Sequence, residues 1–403
     1  MTDPDTLADR VRDGELRLHE LEDYADHDTA AAARRRLLER ETGADLSTTG
    51  EYAFDASEAD ANVENALGAT QVPLGVAGPV PVDGGAADGN HWLPLATTEG
   101  ALVASVNRGL STLRTAGGAT ARVTKSGMTR APVFRVTGVA EAETVVEWVR
   151  DHEADLAAAA EETTGHGELL GVEPYVVGDS VYLRFAYDTK DAMGMNMATI
   201  ATRAACEVVE AETPAELVAL SGNLCTDKKP AAINAVEGRG RTVVADAVIP
   251  EDVVAERLDT TPEAIVEANT RKNLVGSAKA GSLGFNAQAA NVVAAAFLAT
   301  GQDEAQVVEG ANAITSVEAR EEGLYASISL ASLEVGTVGG GTKLPTQREA
   351  LSVLGVGGGG DPPGSNADAL GEVIAVGALA GELSLLAALA SRHLSSAHED
   401  LGR

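Results

Sequence analysis

The order of hydrophobic periodicities between Val133 and Leu220 constrains the fold more than any other feature of this chain. An alternating run over 133–139, a helical pattern over 141–162, alternating runs over 169–177 and 181–187 around a Gly178-Asp-Ser turn, a helical pattern over 192–211 and a short run at 216–220 spell β-α-β-β-α-β. That is the ferredoxin-like, split β-α-β unit, and it reads as an insertion that leaves the remaining chain near Arg130 and rejoins it near Ser221. The whole has 403 residues and 44% hydrophobic content, enough for a sizeable core and two or three domains. The expected class is α+β. It comprises a small helical N-terminal region (1–62), a large helical and αβ domain (63–130 and 231–403) with a long buried central helix, the inserted unit (131–220) and a connecting loop (221–230). Within the large part, helices are expected from Thr97, with Glu99 in the first turn, over 274–299 and over 367–394.

The connecting loop, Ser221-Gly-Asn-Leu-Cys-Thr-Asp-Lys-Lys-Pro-Ala-Ala-Ile-Asn234, concentrates an acid, two lysines and small polar residues. Pro230 biases Lys229 away from helical geometry, so Asp227, Lys228 and Lys229 are expected in extended backbone with alternate side chains facing opposite ways. The chain has only seven lysines and sets two of them side by side here. The competing reading is a solvated charge pair in a turn.

Sixty-one acidic against 30 basic residues give a formal charge of −31. Such a field repels nucleic acid and anionic membrane surfaces, and it strains a compact fold unless salt screens it; at molar salt the Debye length falls to about 3 Å. With scarce lysine, this indicates a salt-rich cytoplasm. Two cysteines, Cys206 and Cys225, fit a reducing compartment and suggest no disulfide framework or metal site. No signal peptide opens the chain, and apolar runs such as 292–299 are far short of a membrane span, so a soluble, cytoplasmic protein is expected.

Taken singly, the other ionisable residues are ambiguous. Glu99 also reads as a surface acid favoured by a helix N-terminus, Asp303 as a helix cap and His398 as a solvated tail residue. The Gly-rich runs at 339–341 and 357–360 lack the dinucleotide-binding fingerprint.

The wording of successive segments goes further. Glu64-Asn-Ala-Leu-Gly with Val76-Ala-Gly-Pro79, Thr97-Thr-Glu-Gly100, Asp191-Ala-Met-Gly-Met-Asn196, Asp227-Lys-Lys-Pro-Ala-Ala-Ile-Asn234, Gly301-Gln-Asp303, Gly336-Thr-Val-Gly-Gly-Gly-Thr342 and Leu379-Ala-Gly-Glu-Leu-Ser-Leu385 follow one another in order. From about Glu64 to His398 the chain resembles 3-hydroxy-3-methylglutaryl-coenzyme A (HMG-CoA) reductase, in the biosynthetic class shared by archaea and eukaryotes. Residues 1–60 carry no comparable motif, and the eukaryotic membrane anchor is missing.

The resemblance implies reduction of the HMG-CoA thioester to mevalonate and coenzyme A with two NADPH, through a hemithioacetal and an aldehyde. It implies Lys228 as the stabiliser of the oxygen that gains charge, Glu99 as a proton donor whose pKa a buried neighbour, Asp303, would raise, and His398 as the acid that protonates the departing thiolate, with His393 structural. Lys229, Ser221, Asp227, Arg130, Lys272 and Asn291 would hold the substrate carboxylate, with Ser105, Asn107 and Arg108 also on the substrate side. Asp191, Ala192, Met193, Gly194, Met195 and Asn196, leading into a helix N-terminus, would take NADPH together with Val338, Gly339, Gly340 and Thr342. Gln288 stands where eukaryotic members carry His, which excludes acid-base work there. A dimer at least is implied, with the site between subunits. The alternatives are a degradative, NAD-dependent reductase of the same superfamily and, outside enzymes, an acidic scaffold or binding protein.

Overall fold

The computed structural model describes residues 3–391. Ten strands among them join in one sheet: β1 (Leu74–Gly84), β2 (Asp88–Ala96), β3 (Ala119–Arg130), β4 (Val133–Arg135), β5 (Glu168–Val177), β6 (Ser180–Asp188), β7 (Glu216–Ala219), β8 (Gly240–Ile249), β9 (Ala313–Arg320) and β10 (Gly323–Leu333). The main path runs β7-β4-β6-β3-β8-β10-β9, with β5 on β6 and β1 on β2 and β3. All pairings are antiparallel except β1 with β3.

Strand β3 is the seam. Its first part pairs with β8, whereas Met128, Thr129 and Arg130 pair with Tyr187, Ala186 and Phe185 of β6. Beyond that seam, 133–219 gathers its own core, in which Phe134, Leu183 and Phe185 pack against the helices Val139–Asp151, Glu153–Glu161 and Met195–Glu212. The helix expected over 141–162 is thus two, broken at His152 (φ −120°, ψ 25°), whose ring stacks on Trp148 at 4.5 Å. The first strand is only Val133–Arg135, shorter than its apolar pattern suggested.

On the other side of the seam the core surrounds the helix Ser365–Ala390. By length and composition it could cross a membrane, so 292–299 was not the longest apolar run to weigh; 78% of its apolar window is buried inside the protein. The helix Leu102–Thr115 crosses it at Gly109, where an added Cβ would lie 2.0 Å from the Ala380 carbonyl oxygen, so only glycine permits this approach.

The long helix expected over 274–299 is interrupted. A π-helical stretch, Asn269–Gly276, and one α-turn, Ser277–Ala280, end at Gly281 (φ 71°), and the helix resumes at Ala289–Thr300. The break is held by the buried Glu382 carboxylate, which accepts from the amides of Ala287 (2.7 Å) and Gln288 (2.6 Å) and from the Thr315 hydroxyl (2.8 Å). Asn273 of the π stretch reaches the same carboxylate at 3.4 Å. In the N-terminal region, Pro4–Arg12 and His27–Thr42 are helices capped by Asp3 and Asp26. His393 and His398 lie outside the described residues.

Candidate active site

The lysine loop begins at the seam, where the Gly222 amide donates to the Ala131 carbonyl at 2.7 Å, beside Arg130. It is a coiled turn, not the extended segment expected. Asn223, Thr226 and Lys228 have φ of 62°, 48° and 60°, conformations that cost a non-glycine residue about 1 kcal/mol or more unless the surroundings hold them. Here the Lys228 amide donates to Glu309 Oε1 at 2.7 Å, and Asn234 Nδ2 to the Cys225 carbonyl at 3.2 Å. The two ammonium groups still take different partners. Lys228 Nζ stands 3.0 Å from Asp303 Oδ2, a bond that raises the lysine pKa, whereas Lys229 Nζ donates to the Asp227 carbonyl at 2.8 Å. Asp303 Oδ1 meanwhile accepts from the Ala305 amide at 3.1 Å, so this acid is both helix cap and lysine partner.

Beneath the loop lies a buried ion network that the sequence reading missed. Arg239, fully buried, reaches Glu334 at 3.0 Å, Glu309 at 3.2 Å, Asp227 at 3.1 Å, Gln306 at 3.1 Å and Met195 Sδ at 2.8 Å. Burial works to raise the Asp227 pKa, but the Gln306 hydrogen bond and the Arg239 charge outweigh it and hold the carboxyl low. Burial wins at the other two acids: Glu309 is pushed up to about 7 and Glu334 well above the usual range, against the pull of the guanidinium. The only available signal was Gly238-Arg-Gly240, whose glycines have φ of 73° and 71° and let the backbone turn the arginine inward.

Glu99 does not sit in a helix's first turn. Ala101 (φ 67°) turns the chain and the helix starts at Leu102, leaving Glu99 exposed, its amide donating to Thr97 Oγ1 at 3.0 Å. Its carboxylate accepts from Asn291 Nδ2 at 3.2 Å; Asn291 also leans on Gln288 Oε1 at 3.5 Å, and Gln288 Nε2 donates to the Gly381 carbonyl at 2.6 Å. The expected buried pair of Glu99 with Asp303 is absent: among the described residues no hydrogen bond or ion pair joins them. The expected residues therefore fall into two groups, Glu99 with Asn291 and Asp227-Lys228-Lys229 with Asp303. Lys272 is exposed on the π stretch, and its charge acts on Glu382. Arg130 donates to Thr199 Oγ1 at 3.1 Å, and Ser221 Oγ lies 3.8 Å from Cys225 Sγ. Ser105 and Arg108 are both tied to the Ser384 hydroxyl, at 2.9 and 3.0 Å, and Asn107 accepts from the Gly78 amide at 3.0 Å.

The segment 191–196 meets the Gly-rich stretch 336–342. The Thr337 amide donates to the Asp191 carbonyl at 2.8 Å, Ala192 bridges Val338, and a Cβ on Gly336 would lie 2.4 Å from the Met193 nitrogen. The Asp191 side chain is not free for a ligand. It is buried and accepts from the amides of Gly360 (2.9 Å), Gly364 (2.8 Å), Asn366 (3.1 Å) and Ala367 (3.1 Å). The helix Met195–Glu212 has no side-chain cap, so its first amides remain available, and added Cβ atoms on Gly339 and Gly340 would meet only open space. These features fit a phosphate-bearing cofactor. Among the described residues no group of His, Cys, Asp or Glu has the arrangement of a metal site.

A family profile described as hydroxymethylglutaryl-coenzyme A reductase matches residues 30–403. The chain is 74% identical over 403 residues to the 3-hydroxy-3-methylglutaryl-coenzyme A reductase of Haloferax volcanii, with 100% of each covered. It is 75% identical over 402 residues to that of Halobacterium salinarum, covering 100% of this chain and 99% of the relative. Against that of Pyrococcus abyssi the identity is 53%, covering 98% and 99%. In fold it is similar to a class II 3-hydroxy-3-methylglutaryl-CoA reductase from Streptococcus pneumoniae bound to NADPH in open conformations, at TM-score 0.67 and 21% identity, covering 93% of this chain and 96% of that one.

Proposed function

The chain belongs to the hydroxymethylglutaryl-coenzyme A reductase family, and from that premise we propose how its own residues reduce (S)-HMG-CoA to mevalonate and coenzyme A. What carries the reading is the contact of 3.0 Å between Lys228 and Asp303, on a loop whose backbone is held under strain. An ammonium fixed in this way can stabilise an oxygen as it becomes negative, without reorganising at the moment of reaction. Lys229, Arg130 and Ser221 lie on the same loop or beside it and supply the cations and hydroxyl that a carboxylate needs. Together they answer, locally, a formal charge of −31.

NADPH, when bound, supplies hydride to the thioester and then to the aldehyde. We assign its binding to the inserted unit, 131–220, with the free amides at Met195 and Asn196 facing the diphosphate and 338–342 on the far side. Asp191 serves there by shaping the loop. Glu99, oriented by Asn291, donates the proton to the aldehyde oxygen, and His398 protonates the thiolate. We further assign completion of the site to a second copy of the chain, because Glu99 with Asn291 and Lys228 with Asp303 form separate groups within one.

The test follows NADPH absorbance with HMG-CoA in molar KCl and counts thiols released. Two NADPH consumed per thiol is the expected ratio. A ratio of one with aldehyde accumulating would misassign the second half-reaction, and oxidation supported by NADH instead would favour the degradative reading.

A further inference from the structure

Glu309 belongs to no group assigned above to substrate or cofactor, yet it is the acid nearest the backbone of the lysine loop. We propose that Glu309 is a positioning residue that sets the Lys228 ammonium by gripping the amide beneath it, and that it does so in its ionised form and releases in its protonated form. The inference rests on the role given to Lys228 above.

The geometry begins with Lys228 itself. A φ of 60° is not one a lysine keeps unaided, and the bond of 2.7 Å from its amide to Glu309 Oε1 is what pins it. The same short stretch holds the other end of the residue: Asp303 caps the 3₁₀ turn Glu304–Gln306, which runs directly into the helical turn Val307–Gly310 carrying Glu309. Between the two acids, Gln306 Nε2 donates to Asp227 Oδ1 at 2.9 Å. One turn therefore grips the lysine's ammonium, its amide and its neighbouring acid, and no part of it can shift alone.

The burial of Glu309 gives the grip a chemical variable. Glu309 and Glu334 are both fully buried, each has one oxygen without a partner, and both share the Arg239 guanidinium with Asp227. Three carboxylates around one guanidinium leave an excess of negative charge that burial resists, so the cluster retains a proton. The charged groups facing Glu309 are Asp227 and Lys228 from the loop, Arg239 ahead of β8 and Glu334 at the end of β10; Arg130 and Arg184 act from further out, on Asp227 and alongside Arg239. A carboxylate is about twice as strong an acceptor from the Lys228 amide as a neutral carboxyl group. Acid thus loosens the backbone anchor of the lysine.

The experiment compares the full chain with Glu309→Gln and Glu309→Ala in molar KCl, measuring kcat, both KM values and the thermal midpoint from about pH 5.5 to 8.5. Glu309→Ala, which loses the acceptor, is expected to lower kcat by up to about 10²-fold, the cost of a small misplacement, with KM for thioester and NADPH nearly unchanged. Glu309→Gln keeps an acceptor oxygen but cannot ionise, so it stands in for the protonated acid; it is expected to hold kcat near the native chain's acid-side value across the whole range, which flattens the fall of kcat on the acid side. Loss of activity in Glu309→Ala that tracks only a lowered midpoint, or that enters kcat and both KM values together, would reduce Glu309 to a structural acid and overturn the proposal. An unchanged acid limb in Glu309→Gln would overturn the part played by its protonation. A native chain that oxidises no NADPH with the thioester fails at the earlier reading of function, a result separable from either variant's behaviour.

Discussion

The Lys228 ammonium stands 3.0 Å from the Asp303 carboxylate, and this pair ties the loop that follows β7 to the turn that follows the helix Ala289–Thr300. Lys228 is half exposed, so the pair adds little to stability, roughly 0–1 kcal/mol. Its effect is to aim the ammonium.

The two lysines of the loop should therefore fail differently. Lys228→Ala removes an oxyanion-type donor and should lower kcat by about 10²–10³. Lys229→Ala, whose ammonium folds back onto the Asp227 carbonyl, should mainly raise KM for the thioester. Steady-state kinetics on both variants checks this, and matching phenotypes would end the division of labour.

The role proposed for His398, which lies outside the described residues, is confined to the thioester half of the reaction. His398→Ala should slow thioester reduction by roughly 10²–10⁴, the usual contribution of a general acid, while free mevaldehyde is reduced almost normally. Glu99→Ala should impair both reactions. Equal losses for His398→Ala on the two substrates would make it a structural histidine.

Burial raises the Glu309 pKa to about 7, so between the ordinary carboxylate value and 7 the folded state holds a proton that the unfolded state has released. Stability from this group is complete below that window and falls as pH rises through it, by up to about 1.4 kcal/mol per pH unit. Glu309→Gln removes the dependence. Its thermal midpoint relative to the native chain should rise from pH 5 to pH 8, and a constant difference would mean that Glu309 does not titrate there.

A formal charge of −31 predicts that thermal midpoint and activity both climb from dilute buffer to molar KCl, because screening relieves repulsion across the surface. A flat midpoint in a salt series would remove the salt-adapted reading and leave the chemistry untouched.

What was legible in the sequence was whatever repeats. The strands and helices between 133 and 219 follow from periodicity, as does the helix Ser365–Ala390, whose start at Ser365 falls two residues from the expected boundary. The interruption at 281–288 was signalled only by the turn-formers Gly281, Ser282, Gly284 and Asn286 between two apolar helical patterns, and the carboxylate that holds the break, Glu382, lies about a hundred residues away. Among site residues, Asp227 and Lys228 share a loop as the sequence requires, whereas Asp303, expected as a helix cap and as the neighbour of Glu99, caps its turn but lies against Lys228 instead. Arg239 was missed because an arginine between two glycines reads as a surface turn, and only the folded chain brings Glu309 and Glu334 around it.

Asp191 has a mechanical consequence. Its carboxylate fastens the segment leading into the helix Met195–Glu212 to the entrance of the helix Ser365–Ala390 by accepting four hydrogen bonds from backbone amides. The part of the chain over 133–219 is thus joined to the rest at a third place, besides β3 near Arg130 and the lysine loop near Ser221, and a pull on the loop after Asp191 is passed directly to the buried helix Ser365–Ala390.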